Sequence, residues 1–158
     1  MTSRIIESLA RQEKALSLLA ELQKEEFTHL KVLDPAQVAG VEFSIHELMR
    51  QIARERTGLR RIYAALVPKA TRMRDVRHLF SPRDQEAADT LIAAIDRLEQ
   101  ACARQADKNY RLALGLYNQS RSSIEFIQNQ IVPKKQVYSA AGRFAKAAME
   151  PALLNGRL

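Results

Sequence analysis

The sequence predicts an all-α fold, an elongated three-helix bundle made of an antiparallel helical hairpin and one long third helix, followed by a basic, weakly structured tail. Three observations carry this prediction. Apolar residues recur at alternating steps of three and four through three long stretches, the signature of a helix with one buried face. The chain of 158 residues has only five glycines and five prolines, and Pro35, Pro68, Pro82 and Pro133 fall at the ends of those stretches, where helices start or stop. An apolar content of 46% is ordinary for a globular chain with its own core.

The first helix is expected over 3–33. Its stripe is Ile5, Leu9, Leu16, Leu19, Leu30 and Leu33, interrupted by Gln12, Gln23 and Glu26. Asp34 then serves as N-cap and Pro35 as first helical residue, with Gln37 placed to complete a capping box. The second helix, 35–66, has the stripe Val38, Val41, Ile45, Leu48, Ile52, Leu59, Ile62 and Leu66, broken only by Glu55. So short a turn makes the two helices antiparallel neighbours. Gly40 and Gly58 inside the second helix each cost about 1 kcal/mol relative to alanine, which points to close packing or a bend at those positions.

Pro68 ends the second helix, and 67–81 forms a basic connection in which Val76, Leu79 and Phe80 are placed to pack as short turns. Ser81 and Pro82 start the third helix, 82–131, about 75 Å long at 1.5 Å per residue. Its first half carries Ala88, Leu91, Ile95, Leu98 and Cys102 and is core. Below Gln105 and Asn109 the stripe resumes at Leu112, Leu116 and Phe126, with Ile124, Ile127 and Ile131 on an adjoining row. That half projects past the hairpin or meets something else, and its cover is a partner protein, a second copy of the chain or the hairpin itself. The bundle domain is 1–131 and the tail 132–158. In the tail, Phe144, Ala147, Ala148 and Met149 have the spacing of an amphipathic turn before Pro151.

The formal net charge is +7, and it is concentrated in the connection and the tail, the long helices being balanced. The nearest approach to a nucleic-acid stripe is Arg50, Arg54 and Arg61 with Arg72, Arg74 and Arg77; this is the alternative reading, a basic helical nucleic-acid-binding module, set against solvated arginines on helix surfaces. The single cysteine excludes an internal disulfide, no apolar run reaches a membrane span, and the amino end lacks the apolar core of a secretion signal. A cytoplasmic protein is expected. No phosphate-binding glycine loop, nucleophile elbow or cysteine pair is present, so neither an enzyme nor a cofactor is expected. Glu26-x-x-His29 has di-iron spacing, but the second helix offers only Glu42 and His46, one residue too far apart. No metal site is expected, Cys102 reads as a buried thiol, and Glu26 and Glu55 read as water-exposed interruptions near bundle ends.

The end of the long helix and the start of the tail carry a family resemblance. Asn109 is followed by Leu112 and Leu116, then by Ser123-Ile124-Glu125-Phe126-Ile127, then by Val137-Tyr138-Ser139-Ala140-Ala141-Gly142-Arg143. This resembles the FlgN-type flagellar export chaperones, and the likeness extends to the first hairpin through Leu19, Leu22, Glu25, Leu30, Asp34, Leu48, Ile52, Glu55 and Arg56. The resemblance implies a cytoplasmic chaperone that holds the carboxy-terminal helical segment of flagellar hook-associated (hook–filament junction) proteins, prevents their premature assembly and delivers them to the flagellar type III export gate. It implies cargo binding at Leu112, Leu116, Ile124, Phe126, Ile127 and Phe144, and docking on the cytoplasmic domain of the gate through Tyr138, with Gly142 and Arg143 beside it.

Overall fold

The computed structural model describes residues 2–131 and the backbone of residues 137–138 and 144–145. Its elements are α1 (Thr2–Lys31), α2 (Pro35–Leu66), the short α3 (Met73–Val76) with a 3-10 turn at Arg77–Leu79, α4 (Pro82–Ile131), and two short strands, β1 (Val137–Tyr138) and β2 (Phe144–Ala145). The fold is all-α, as the periodicity requires. The chain falls into two compact units, Met1–Gly115 and Leu116–Leu158.

The turn between α1 and α2 shows why the hairpin is so tight. Leu33 takes a positive φ of 57°, its N–H donates to Leu30 O, and the Asp34 N–H donates to His29 O. This is a Schellman closure with leucine at the left-handed position that glycine usually holds. The Asp34 carboxylate then accepts from the Gln37 N–H at 3.1 Å and caps α2. Because the Asp34 N–H is already committed to α1, only the carboxylate half of the expected capping box operates.

In the first unit, the core of α1 is Ile5, Leu9, Leu16, Leu19 and Leu30, and that of α2 is Val41, Ile45, Ile52, Leu59 and Tyr63. The connection supplies Ala70, Met73, Val76 and Phe80 to the same cluster. Leu79 stays 44% exposed, because it closes the 3-10 turn on the outer side while Val76 and Phe80 turn inward. Lys69, at φ 68°, sits third in a turn closed by Ala70 N–H to Val67 O. The Ser81 hydroxyl caps α4 by accepting from the Asp84 N–H, and Gln85 Nε2 donates to Phe80 O and Arg77 O.

Within this unit α4 docks beside α1 in a constant register. The Cys102 thiol donates to Leu16 O and Asn109 Nδ2 to Gln23 O, and both pairs are 86 residues apart, so the two helices run parallel. Residues seven apart on α4, namely Ala88, Ile95, Cys102 and Asn109, are all buried. Burial pushes the Cys102 thiol above its ordinary value, with the nearby Glu99 carboxylate adding to the effect, in keeping with a thiol that packs rather than reacts.

One reading of single positions is corrected here and another is extended. An added Cβ at Gly40 or Gly58 would meet nothing within 4 Å, so neither glycine marks a close approach. Glu26 and Glu55 stay partly open to water, as expected, but each also accepts hydrogen bonding from a neighbouring helix. Glu55 takes hydrogen bonds from Ser8 Oγ, Arg11 Nε and Arg11 Nη2, each at 3.2 Å, and Glu26 Oε2 accepts from Asn109 Nδ2 at 2.6 Å. In both cases the acid in an apolar stripe matches a donor on a neighbouring helix.

In the second unit, β1 and β2 pair antiparallel, with Val137 opposite Ala145 and Tyr138 opposite Phe144. Phe144 therefore stands in a strand, and the helical turn its spacing suggested does not begin there; Ala147, Ala148 and Met149 lie outside the described residues.

Candidate partner-binding face

The buried row of α4 ends in a polar layer. Asn109 is 3% exposed, and its amide is satisfied on both sides: Nδ2 donates to Gln23 O and Glu26 Oε2, while Oδ1 accepts from Gln105 Nε2 at 2.9 Å. A buried amide without partners would cost about 1–3 kcal/mol, so these contacts fix where α4 sits against α1. Glu99 adds an ion pair with Arg56 of α2, and Asp89 one with Arg77 at 2.8 Å.

Beyond this layer the exposure reverses. Leu112 and Leu116 are half-buried. Tyr117, Ile124, Phe126, Ile127 and Ile131 are exposed by 63, 55, 64, 51 and 60%, values that matter because side chains of this size are normally covered. Gln119, Ser120, Ser122 and Ser123 lie among them, also exposed. In the first unit, Tyr110 and Leu114 are exposed as well, by 66 and 44%.

The five cargo positions expected on the long helix do not form one stripe. At roughly 100° per residue, Ile124 and Phe126 point about 160° apart. Within the second unit Phe126 marks one edge, while Ile124 falls in line with Tyr117 and Ile131, one heptad on either side. Leu116 and Ile127 lie between these edges. The apolar side chains thus span an arc of about half the helix circumference, wider than the roughly 100° stripe with which a helix usually meets a core. Tyr110 and Tyr117 are the residues an aliphatic count passes over. The signal that finds them is the seven-residue spacing from Tyr110 through Tyr117 and Ile124 to Ile131, one position out of step with the buried row.

The remaining sequence candidates divide. Tyr138 and Phe144 face each other in backbone register across the two strands; Gly142 and Arg143 lie outside the described residues. Of the arginines considered for nucleic acid, Arg50 pairs with Glu47, Arg74 with Asp75 and Arg77 with Asp89, so they do not form a free cationic stripe. His29 lies against Glu25 and Glu26 against Asn109, so the two do not converge. Among the described residues no three His, Cys, Asp or Glu side chains gather into a metal-binding group, and no helix is long and apolar enough to cross a membrane.

The apolar arc is thus exposed and, among the described residues, has no metal-binding group. In the comparison with known families, residues 1–146 match the family model described as FlgN protein. The chain belongs to the FlgN family. This is the flagellar export chaperone family, and the match reaches from α1 through β2. No curated protein and no solved structure matches the chain. FlgN membership assigns a chaperone role in flagellar assembly and export.

Proposed function

We propose that this FlgN-family chain is a cytoplasmic chaperone for flagellar hook-associated proteins, holding their carboxy-terminal helical segments on the apolar arc of α4 until export. The exposed set Tyr117, Ile124, Phe126, Ile127 and Ile131 carries the reading. Each such side chain contributes about 1.5–3 kcal/mol gross on burial, from which the ordering of both partners subtracts. The net result is reversible binding, which suits a chaperone that must let go. An arc this wide needs more than one cargo helix, or a cargo helix together with the tail residue Phe144, to cover both the Phe126 and the Ile124 edges.

Delivery then takes place at the cytoplasmic domain of the export gate, with Tyr138 as the docking residue and Gly142 and Arg143 beside it. The pairing of Tyr138 with Phe144 supports a link between the two events, since a cargo that engages Phe144 acts on the strand opposite Tyr138. Neither step needs a cofactor or a hydrolysable nucleotide.

The test is calorimetric titration with the carboxy-terminal fragment of a hook-associated protein from the same source, at low and high salt. Saturable binding that changes little with salt and is weakened about tenfold or more by Leu116→Asp or Phe126→Asp is the expected result. Steep loss with salt would instead favour a polyelectrolyte mode. For delivery, Tyr138→Ala is expected to abolish gate binding while leaving cargo affinity in place; unchanged gate binding contradicts the docking assignment.

A further inference from the structure

The first unit carries a second surface that the cargo reading does not use. Along α2, Met49, Arg56 and Arg60 follow one another at steps of seven and four and so share a face, and they rim a groove whose floor is Leu16, Leu19 and Ile52. The floor residues are buried, whereas Met49 at the rim is 52% exposed. The cations are not equivalent. Arg56 is held by Glu99 of α4, while Arg60 is exposed and, among the described residues, has no carboxylate or hydrogen-bond partner.

We propose that this groove is a docking site for an acidic amphipathic helix, separate from the cargo face. The apolar floor and Met49 take the leucine-like face of such a helix, and Arg60 takes a flanking carboxylate. Charge complementarity extends past the groove: from Glu42 to Ser81 nine Lys and Arg residues stand against four Asp and Glu. Three of those acids are already engaged, Glu47 with Arg50, Glu55 with Arg11, and Asp75 with the N–H groups of Thr71 and Arg72, and four of the cations are too, Arg50, Arg56, Arg74 and Arg77, which leaves Arg54, Arg60, Arg61, Lys69 and Arg72 against Glu42. A carboxylate arriving on a partner therefore meets a field with a surplus of positive charge, which speeds encounter and selects against basic partners. An apolar floor between α1 and α2 is unsuited to a phosphate backbone, which asks for cations in line and no hydrocarbon beneath them.

The test titrates the full-length chain with a synthetic helical peptide carrying leucines on one face and glutamates on its flanks, and with a copy bearing lysines in place of the glutamates. Expected is saturable binding of the glutamate peptide and none of the lysine peptide, with Arg60→Glu and Met49→Asp each weakening it about tenfold. Arg54→Glu, in the separate α1–α2 groove lined by Arg4 and Arg11, is expected to leave it unchanged, and all three variants are expected to keep the wild-type melting temperature and hook-associated cargo affinity. Equal binding of both peptides, or unaltered binding by Arg60→Glu and Met49→Asp, overturns the proposal. So would a duplex DNA or anionic vesicle that displaces the peptide and is lost equally in Arg54→Glu, or self-association that buries Met49 and blocks the peptide. Because the cargo titration is run on the same variants, failure here is distinguishable from failure at α4.

Discussion

In the first unit, residues of α4 seven apart are Ala88, Ile95, Cys102 and Asn109, and every one is buried; in the second unit they are Tyr117, Ile124 and Ile131, and every one is more than half exposed. The period is the same, but the exposed row stands one position on from the buried row, and its first-unit counterparts Asp89, Asp96, Ala103 and Tyr110 are exposed as well. What differs is the face of the helix each row occupies and the side chains that fill it. The buried row faces α1 through the Cys102 and Asn109 contacts, and its one amide has three partners waiting. The exposed row is large, and the polar side chains beside it, Ser120, Ser123 and Gln128 with the ion-paired Arg121 and Glu125, are exposed as well. A heptad tells that a helix keeps one side for a partner. The residues filling it tell whether that partner is already part of the chain.

The sharpest way to break this contrast is a matched pair. Ile95→Ala is expected to destabilise the fold by about 2–5 kcal/mol, and Ile124→Ala by no more than about 0.5 kcal/mol, read from chemical denaturation. Equal costs would mean that Ile124 is core. Next in size is the polar layer: Asn109→Ala leaves Gln23 O and the Glu26 carboxylate without their donor and is expected to cost about 1–3 kcal/mol, whereas Asn118→Ala, exposed in the second unit, is expected to be neutral.

Two titrating groups sharpen the same division, because both belong to the packed unit. Burial pushes the Tyr63 hydroxyl up to about 12. A raised value favours the neutral, folded form, so its contribution is complete below the ordinary tyrosine range near 10 and is lost as pH climbs toward 12. Tyr63→Phe should retain stability at pH 11 that the parent loses. Glu55 lies below the usual carboxylate range through its hydrogen bonds from Arg11, with Ser8 helping. Its contribution is present above that range and disappears as pH falls through the lowered value, amounting to about 1 kcal/mol or less for so exposed a pair. Glu55→Gln should flatten that part of the acid limb. Smallest are the glycines. With open space around each, Gly58→Ala and Gly115→Ala are expected to stabilise by up to about 1 kcal/mol each.

The helices, their caps and most of the core were legible in the spacing of apolar residues, because a half-buried helix repeats and Pro35, Ser81 and Pro82 mark where repeats begin. Tyr63 escaped the pattern because its ring fills the position beside Ile62 that an aliphatic count assigns to isoleucine. Glu26 and Glu55 escaped it because their partners, Asn109 and Arg11, are distant in sequence, and nothing along either helix announces them. Ala70 and Met73 joined the core through a connection whose conformation depends on Lys69 at positive φ, a choice local propensity does not favour. At the candidate face, the apolar content of 112–131 was plain, but its division between a Phe126 edge and an Ile124 edge needed the helix to be laid out in three dimensions.

The most direct test of the central claim is amide hydrogen exchange along α4, measured with and without the hook-associated carboxy-terminal fragment. The contrast predicts that amides from Ala88 to Asn109 are strongly protected in the free chain and unchanged by cargo, while those from Tyr117 to Ile131 exchange faster alone and slow markedly on binding. Uniform protection along α4 in the free chain, or protection gained between Ala88 and Asn109 instead, would contradict it.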